Sequence, residues 1–107
     1  MHIKSRRFGY EKITKSNART LSAGERLIAK QMKADAGSLL PWHMSDAESI
    51  LFVHEGECSI QIDNKSRLLK QGEAFIVPPN MEHQIKAVTD FRAVHFMPQD
   101  IKFTYFH

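Results

Sequence analysis

A chain of 107 residues with 42% hydrophobic and 25% charged residues has the size and composition of one ordinary folded domain. Its formal charge of +3 is too small to argue for a nucleic-acid face by itself, and no apolar run approaches the ~18 residues that a membrane span needs. The single cysteine, Cys58, excludes an internal disulfide and fits a reducing compartment, where a small strand residue is its ordinary role.

In chain order, the start carries a basic cluster of Lys4, Arg6, Arg7, Lys12 and Lys15. Neither a helix-turn-helix pattern nor an aromatic platform accompanies it, so it reads as the solvated face of an N-terminal strand. No nucleic-acid or membrane partner is expected. No apolar stretch follows the basic residues of the first eight positions, so they do not read as a secretory signal, and a cytoplasmic location is expected. Residues 23–36 have a helix-compatible composition. They also lie between Gly24 and Gly37 and alternate, with Ile28 and Met32 on one face and Gln31 and Lys33 on the other, which predicts a strand.

Downstream, residues 49–54 are apolar and partly β-branched, and residues 55–57 read as a hairpin turn. Residues 58–62 alternate with Ile60 and Ile62 inward, and Asp63-Asn64-Lys65 reads as a second turn because Asp and Asn tolerate left-handed backbone. A short strand over 66–70 ends at Gln71-Gly72. Residues 74–77 predict a buried strand stopped by Pro78-Pro79, which cannot donate to a ladder. Residues 83–87, 91–97 and 101–106 supply three more strands. Short strands at close spacing predict an all-β fold, an antiparallel barrel or jelly roll.

Two blocks carry the chemistry. In the first, Gly37 leads by five residues to His43, with Ser45 two positions on, Ser49 after three more residues, and Gly56 after a further six. In the second, Gly72 leads by five residues to Pro78, followed by Asn80, His83 and Ala87. These blocks resemble the two motifs of the cupin family over roughly residues 26–98 of a single domain spanning 1–107. The resemblance implies a cupin-type β-barrel, or double-stranded β-helix. It also implies a site for iron, manganese, zinc or nickel held by three imidazoles and a carboxylate. Of those four positions this chain keeps His43 and His83, while Ser45 and Ser49 stand at the second histidine and the glutamate. Asn80 replaces a glycine and Ala87 an asparagine.

Serine hydroxyls are poor ligands for such metals, and two imidazoles with water make a weak, open site. A weakly held divalent metal and no metal at all therefore both stay open. Glu48, one residue before the glutamate position, would complete a triad with His43 and His83 if a bulge at Asp46-Ala47 turned it inward; otherwise it sits exposed at the barrel mouth. His95 alternates with Phe91, Ala93 and Met97 and would enter the cavity beside His83. His54 is expected at the rim, and His2 and His107 are terminal.

Trp42 and Met81 flank the histidines as lid residues. Met44, Phe52 and Phe91 are available for the walls, with Phe75 and Phe96 assigned to plain core packing. The expected ligand pocket thus comprises His43, His83, Trp42, Ser45, Ser49, Met81 and His95. The expected function is binding of a small molecule there. The alternative is a metal-dependent isomerase, dioxygenase or lyase using His43, His83 and Glu48. No catalytic residue or ligand identity follows. The N-terminal strand and the apolar C-terminal strand leave sheet edges to cover, which predicts a homodimer, with a tail folded back on its own barrel as the alternative.

Overall fold

Alternating apolar and polar residues, broken at short intervals by turn formers, give ten strands and no helix among the described residues, which in this computed structural model are residues 17–106. In chain order they are β1 (Asn17–Ala23), β2 (Leu27–Ala34), β3 (Trp42–Ser45), β4 (Ser49–Glu55), β5 (Cys58–Ile62), β6 (Lys65–Leu69), β7 (Ala74–Val77), β8 (His83–Ala87), β9 (Phe91–Pro98) and β10 (Phe103–Phe106). The basic cluster of the first fifteen residues lies outside the described residues.

The strands form two five-stranded sheets, ordered β1-β2-β9-β4-β7 and β10-β3-β8-β5-β6, with every named pair antiparallel. From β3 onward the chain crosses repeatedly between the sheets, which is the winding of a jelly roll. The sheets face each other without joining into one continuous hydrogen-bonded cylinder.

Directly opposed residues of an antiparallel pair share a face. Leu51 opposes Phe75 on one side and His95 on the other, and Val53 opposes Ala93, so these side chains all point between the sheets. They meet Ile60 and Ile85, which oppose each other on the second sheet, together with Cys58 and Ala87. Cys58, Val53, Ile60, Leu69 and Ala93 are all fully buried. Burial pushes the Cys58 thiol up to about 11.

Turn chemistry fixes the register. Asp63 and Asn64 have φ of 54° and 59°, the two left-handed residues of a tight hairpin between β5 and β6. Asn80, in the glycine position of the second block, has φ of 59°, a conformation that Asn reaches more easily than other side chains. Met44 and Phe52, expected as pocket walls, alternate with inward His43 and Leu51 and so face away from the interior, and two further expectations change. Phe96 is 43% exposed on the outer face, because His95 beside it points inward and strand neighbours must alternate. The C-terminal strand folds back on its own chain, pairing β10 with β3.

Gly56, between β4 and β5, has φ of 77°, and a Cβ there would run into the Asp90 carbonyl oxygen while lying 2.8 Å from Thr89 Oγ1. Gly72 has φ of 88° with open space around it. Gly56→Ala should therefore cost at least about 2 kcal/mol and Gly72→Ala only about 1 kcal/mol. Urea unfolding of the two variants checks this, and equal losses would contradict it.

Candidate functional site

The histidines owe their meeting to register. His43 opposes His83 across the β3–β8 pair, so both rings project from one sheet toward the interior, with centroids 4.3 Å apart. His95 arrives from the opposite sheet, on the face it shares with Leu51. Phe103 closes the group from β10, its ring centroid 6.0 Å from that of His43 and 6.3 Å from that of His95. Tyr105, which opposes His43 in the β10–β3 ladder, lies 5.5 Å from its ring.

Hydrogen bonds fix the imidazole orientations. His43 Nδ1 donates to the Pro41 carbonyl at 2.9 Å and His83 Nδ1 donates to the Met81 carbonyl at 3.0 Å. With the proton on Nδ1, the Nε2 of each neutral ring keeps its lone pair for a ligand or a hydrogen-bond donor. His95 Nε2 instead meets the Ser49 hydroxyl at 2.8 Å. Ser45 turns its hydroxyl onto the Ala47 carbonyl at 3.0 Å. Both serines are buried and satisfied, and Ser49 thus holds an imidazole where the related motif holds a metal.

Burial dominates the electrostatics. It lowers the pKa of His43, and it takes His83 and His95 down to about 4, with the neighbouring imidazoles opposing a second positive charge. At neutral pH the cluster is uncharged, a set of nitrogen bases in a mostly apolar wall.

Of the residues expected at the site, His43, His83, His95, Ser45 and Ser49 come together. Glu48 does not join them: it is exposed on the connection where the chain leaves one sheet for the other. That connection is pinned by Asp46, whose backbone N–H donates to the Lys102 carbonyl at 3.1 Å and whose carboxylate accepts from the Lys102 N–H at 2.9 Å. Among the described residues no three His, Cys, Asp or Glu side chains converge as a metal cage. The donors present do not fit the site of three imidazoles and one carboxylate; two free imidazole nitrogens are what remain.

Trp42, next to inward His43 on β3, faces the other way, and with Met81 it lines a cavity of about 570 Å³ beside Gln61, Asp63, Lys65 and Glu82 that none of the three histidines lines. His54 lies away from the cluster, its Nε2 3.2 Å from the Gln31 side-chain amide. Sequence reasoning missed Phe103 and Tyr105 as pocket wall. Their i, i+2 spacing on a strand was the available signal, since it puts two aromatic rings on one face.

A two-sheet jelly roll carrying an inward histidine cluster at the motif positions defines the class. The model of the Cupin domain matches residues 31–97, and this chain belongs to the cupin family. Among solved structures it is similar to a cupin-2 domain protein from Shewanella frigidimarina, with 21% identity, a TM-score of 0.71, and coverage of 78% of this chain and 80% of that one. It is also similar to KdgF from Halomonas sp., with 22% identity, a TM-score of 0.70 and 76% of each chain covered. Salicylate 1,2-dioxygenase from Pseudaminobacter salicylatoxidans superposes with a TM-score of 0.78 at 14% identity, over 89% of this chain but 32% of that one. These likenesses concern the fold. No curated protein matches the chain.

The depressed histidines make stability pH-dependent. Between about pH 4 and 6.5 the unfolded chain binds more protons than the folded one, so stability rises with pH across that window. It should be fully present above pH 6.5 and fall by on the order of 2–5 kcal/mol as the pH drops to 4.5. Urea unfolding at pH 7 and 4.5 measures the loss. His95→Gln should make the profile shallower, and an unchanged slope would show that His95 titrates normally.

Proposed function

We propose that this cupin binds a small organic molecule in the barrel interior, where His43 and His83 meet it with neutral imidazole nitrogens. The observation that carries this reading is the pair of imidazole rings with centroids 4.3 Å apart, each held at Nδ1 by a backbone carbonyl, leaving Nε2 for a ligand, with aromatic rings beside them. Few convergent polar groups in an apolar wall suit recognition of a hydroxyl or carbonyl-bearing ligand. A divalent metal taken up here would rest on two imidazoles and be held weakly.

A second reading is a metal-dependent enzyme of the isomerase, dioxygenase or lyase kind. The two in-register histidines, His43 and His83, are what support it. The serines at two of four ligand positions and the outward Glu48 count against it.

Elemental analysis of protein purified without a polyhistidine tag should find well under one transition metal per chain. One metal per chain, lost in both His43→Ala and His83→Ala, would overturn the binding reading in favour of the enzyme. A ligand found by metabolite screening should bind at least tenfold more weakly to either variant and unchanged to Glu48→Ala.

We also propose a homodimer. The outer face of the first sheet exposes Phe96, Ile50 and Ile76, neighbours across β9, β4 and β7, at 43%, 39% and 52%. Light scattering should give twice the monomer mass at micromolar concentration, and Ile50→Lys should halve it. A monomer throughout would end the proposal.

A further inference from the structure

One side of the sandwich lies between two of its four edge strands, β6 and β7. Arg67 stands on β6 opposite Ile60, on the sheet face that looks toward the other sheet, and is itself exposed at the edge. Its guanidinium carbon lies 5.3 Å from the centre of the Phe75 ring on β7. This contact spans the gap from one sheet to the other. Among the described residues the one ion pair is Arg92 with Glu55, so the Arg67 guanidinium has no carboxylate within 4.0 Å.

An arginine packed over an aromatic face keeps its N–H edge for a planar, two-oxygen partner. Beside it is a cavity of about 390 Å³, lined by Arg67, Phe75, Ile62, Met81 and Pro78, with Asp63, Lys65 and Ser66 at its polar end. The volume is at the small end of the ~300–1,000 Å³ range for small-molecule pockets. Lys65 and Asp63 offset each other formally, which leaves Arg67 as the net charge. Two of its lining residues adjoin His83: Ile62 opposes it across the β5–β8 ladder, and the Met81 carbonyl accepts the His83 Nδ1 proton.

We propose that this cavity selects a small monocarboxylate, with the carboxylate paired to Arg67, its apolar body against Phe75, Ile62 and Met81, and its far end directed toward His83. The inference rests on the reading of the barrel interior as a small-molecule site and supplies the chemical class of the ligand. The arginine is on the strand edge and not among the histidines, so charge recognition and imidazole contact occupy opposite ends of one molecule.

Benzoate and benzamide test it, being alike in shape and different in charge. Titration into ¹³C,¹⁵N-labelled protein, followed by NMR of the histidine rings and of residues 62–67, should show benzoate binding at least tenfold tighter than benzamide. Arg67→Gln should bring benzoate down to the benzamide level and leave benzamide unchanged, and Arg67→Lys should retain part of the preference. Inorganic phosphate should compete weakly, because it lacks the apolar body.

Equal binding of benzoate and benzamide to the natural chain, or undiminished benzoate binding to Arg67→Gln, would overturn the carboxylate assignment while leaving the small-molecule site standing. Phosphate competing as well as benzoate would overturn the role given to Phe75, Ile62 and Met81. No response of the histidine rings to either organic probe would remove both the assignment and the site reading beneath it. Loss of benzamide binding in Arg67→Gln would mark a folding defect, and Arg67→Lys then decides: benzoate binding no tighter than benzamide in that variant overturns the assignment, and a retained preference supports it.

Discussion

One opposed pair, His43 on β3 and His83 on β8, sets the interior of this molecule. Antiparallel register leaves the two rings no choice of face: if one enters the sandwich, so does the other. A slip of one residue on β8 would send His83 outward and bring Gln84 in. The same slip would expose Ile85 and Ala87, which are core residues. The apolar alternation that buries the core therefore also enforces the chemistry of the pocket.

Burying imidazoles so closely has an electrostatic cost only in the charged state. The protein avoids it by keeping the rings neutral and by giving two of them backbone acceptors at Nδ1 and the third a hydroxyl at Nε2. The motif this chain resembles implies a carboxylate at position 49, whereas here Ser49 hydrogen-bonds a third imidazole from the facing sheet. The substitution of Ser for Glu and the inward direction of His95 are thus one arrangement seen from two strands.

Much of this was legible in the residue order. The hairpin at Asp63-Asn64, the stop at Pro78-Pro79 and the alternation of His83, Ile85 and Ala87 are local signals, and local signals fixed the strands and the family resemblance. The inward direction of His95 followed from its period-two neighbours Phe91, Ala93 and Met97. What local patterns could not supply was pairing between distant strands. The i, i+2 spacing of Phe103 and Tyr105 puts two rings on one face, but that this face walls the histidines follows only from the pairing of β10 with β3. The sheet switch at Asp46–Glu48 was equally hidden, because the contacts that pin it come from Lys102, far along the chain. Arg67 is the same kind of case: its place depends on the Phe75 ring of the other sheet.

Cys58 has a further consequence for anyone who works with the molecule. Its sulfur sits on β5, flanked by β6 and β8, opposite Leu69 and Ala87, with no exposed surface and a thiol held in its protonated form. A thiol reagent meets it only when the second sheet parts. The chain thus carries an internal clock for opening of its own core, read by the rate of covalent labelling and needing no introduced reporter.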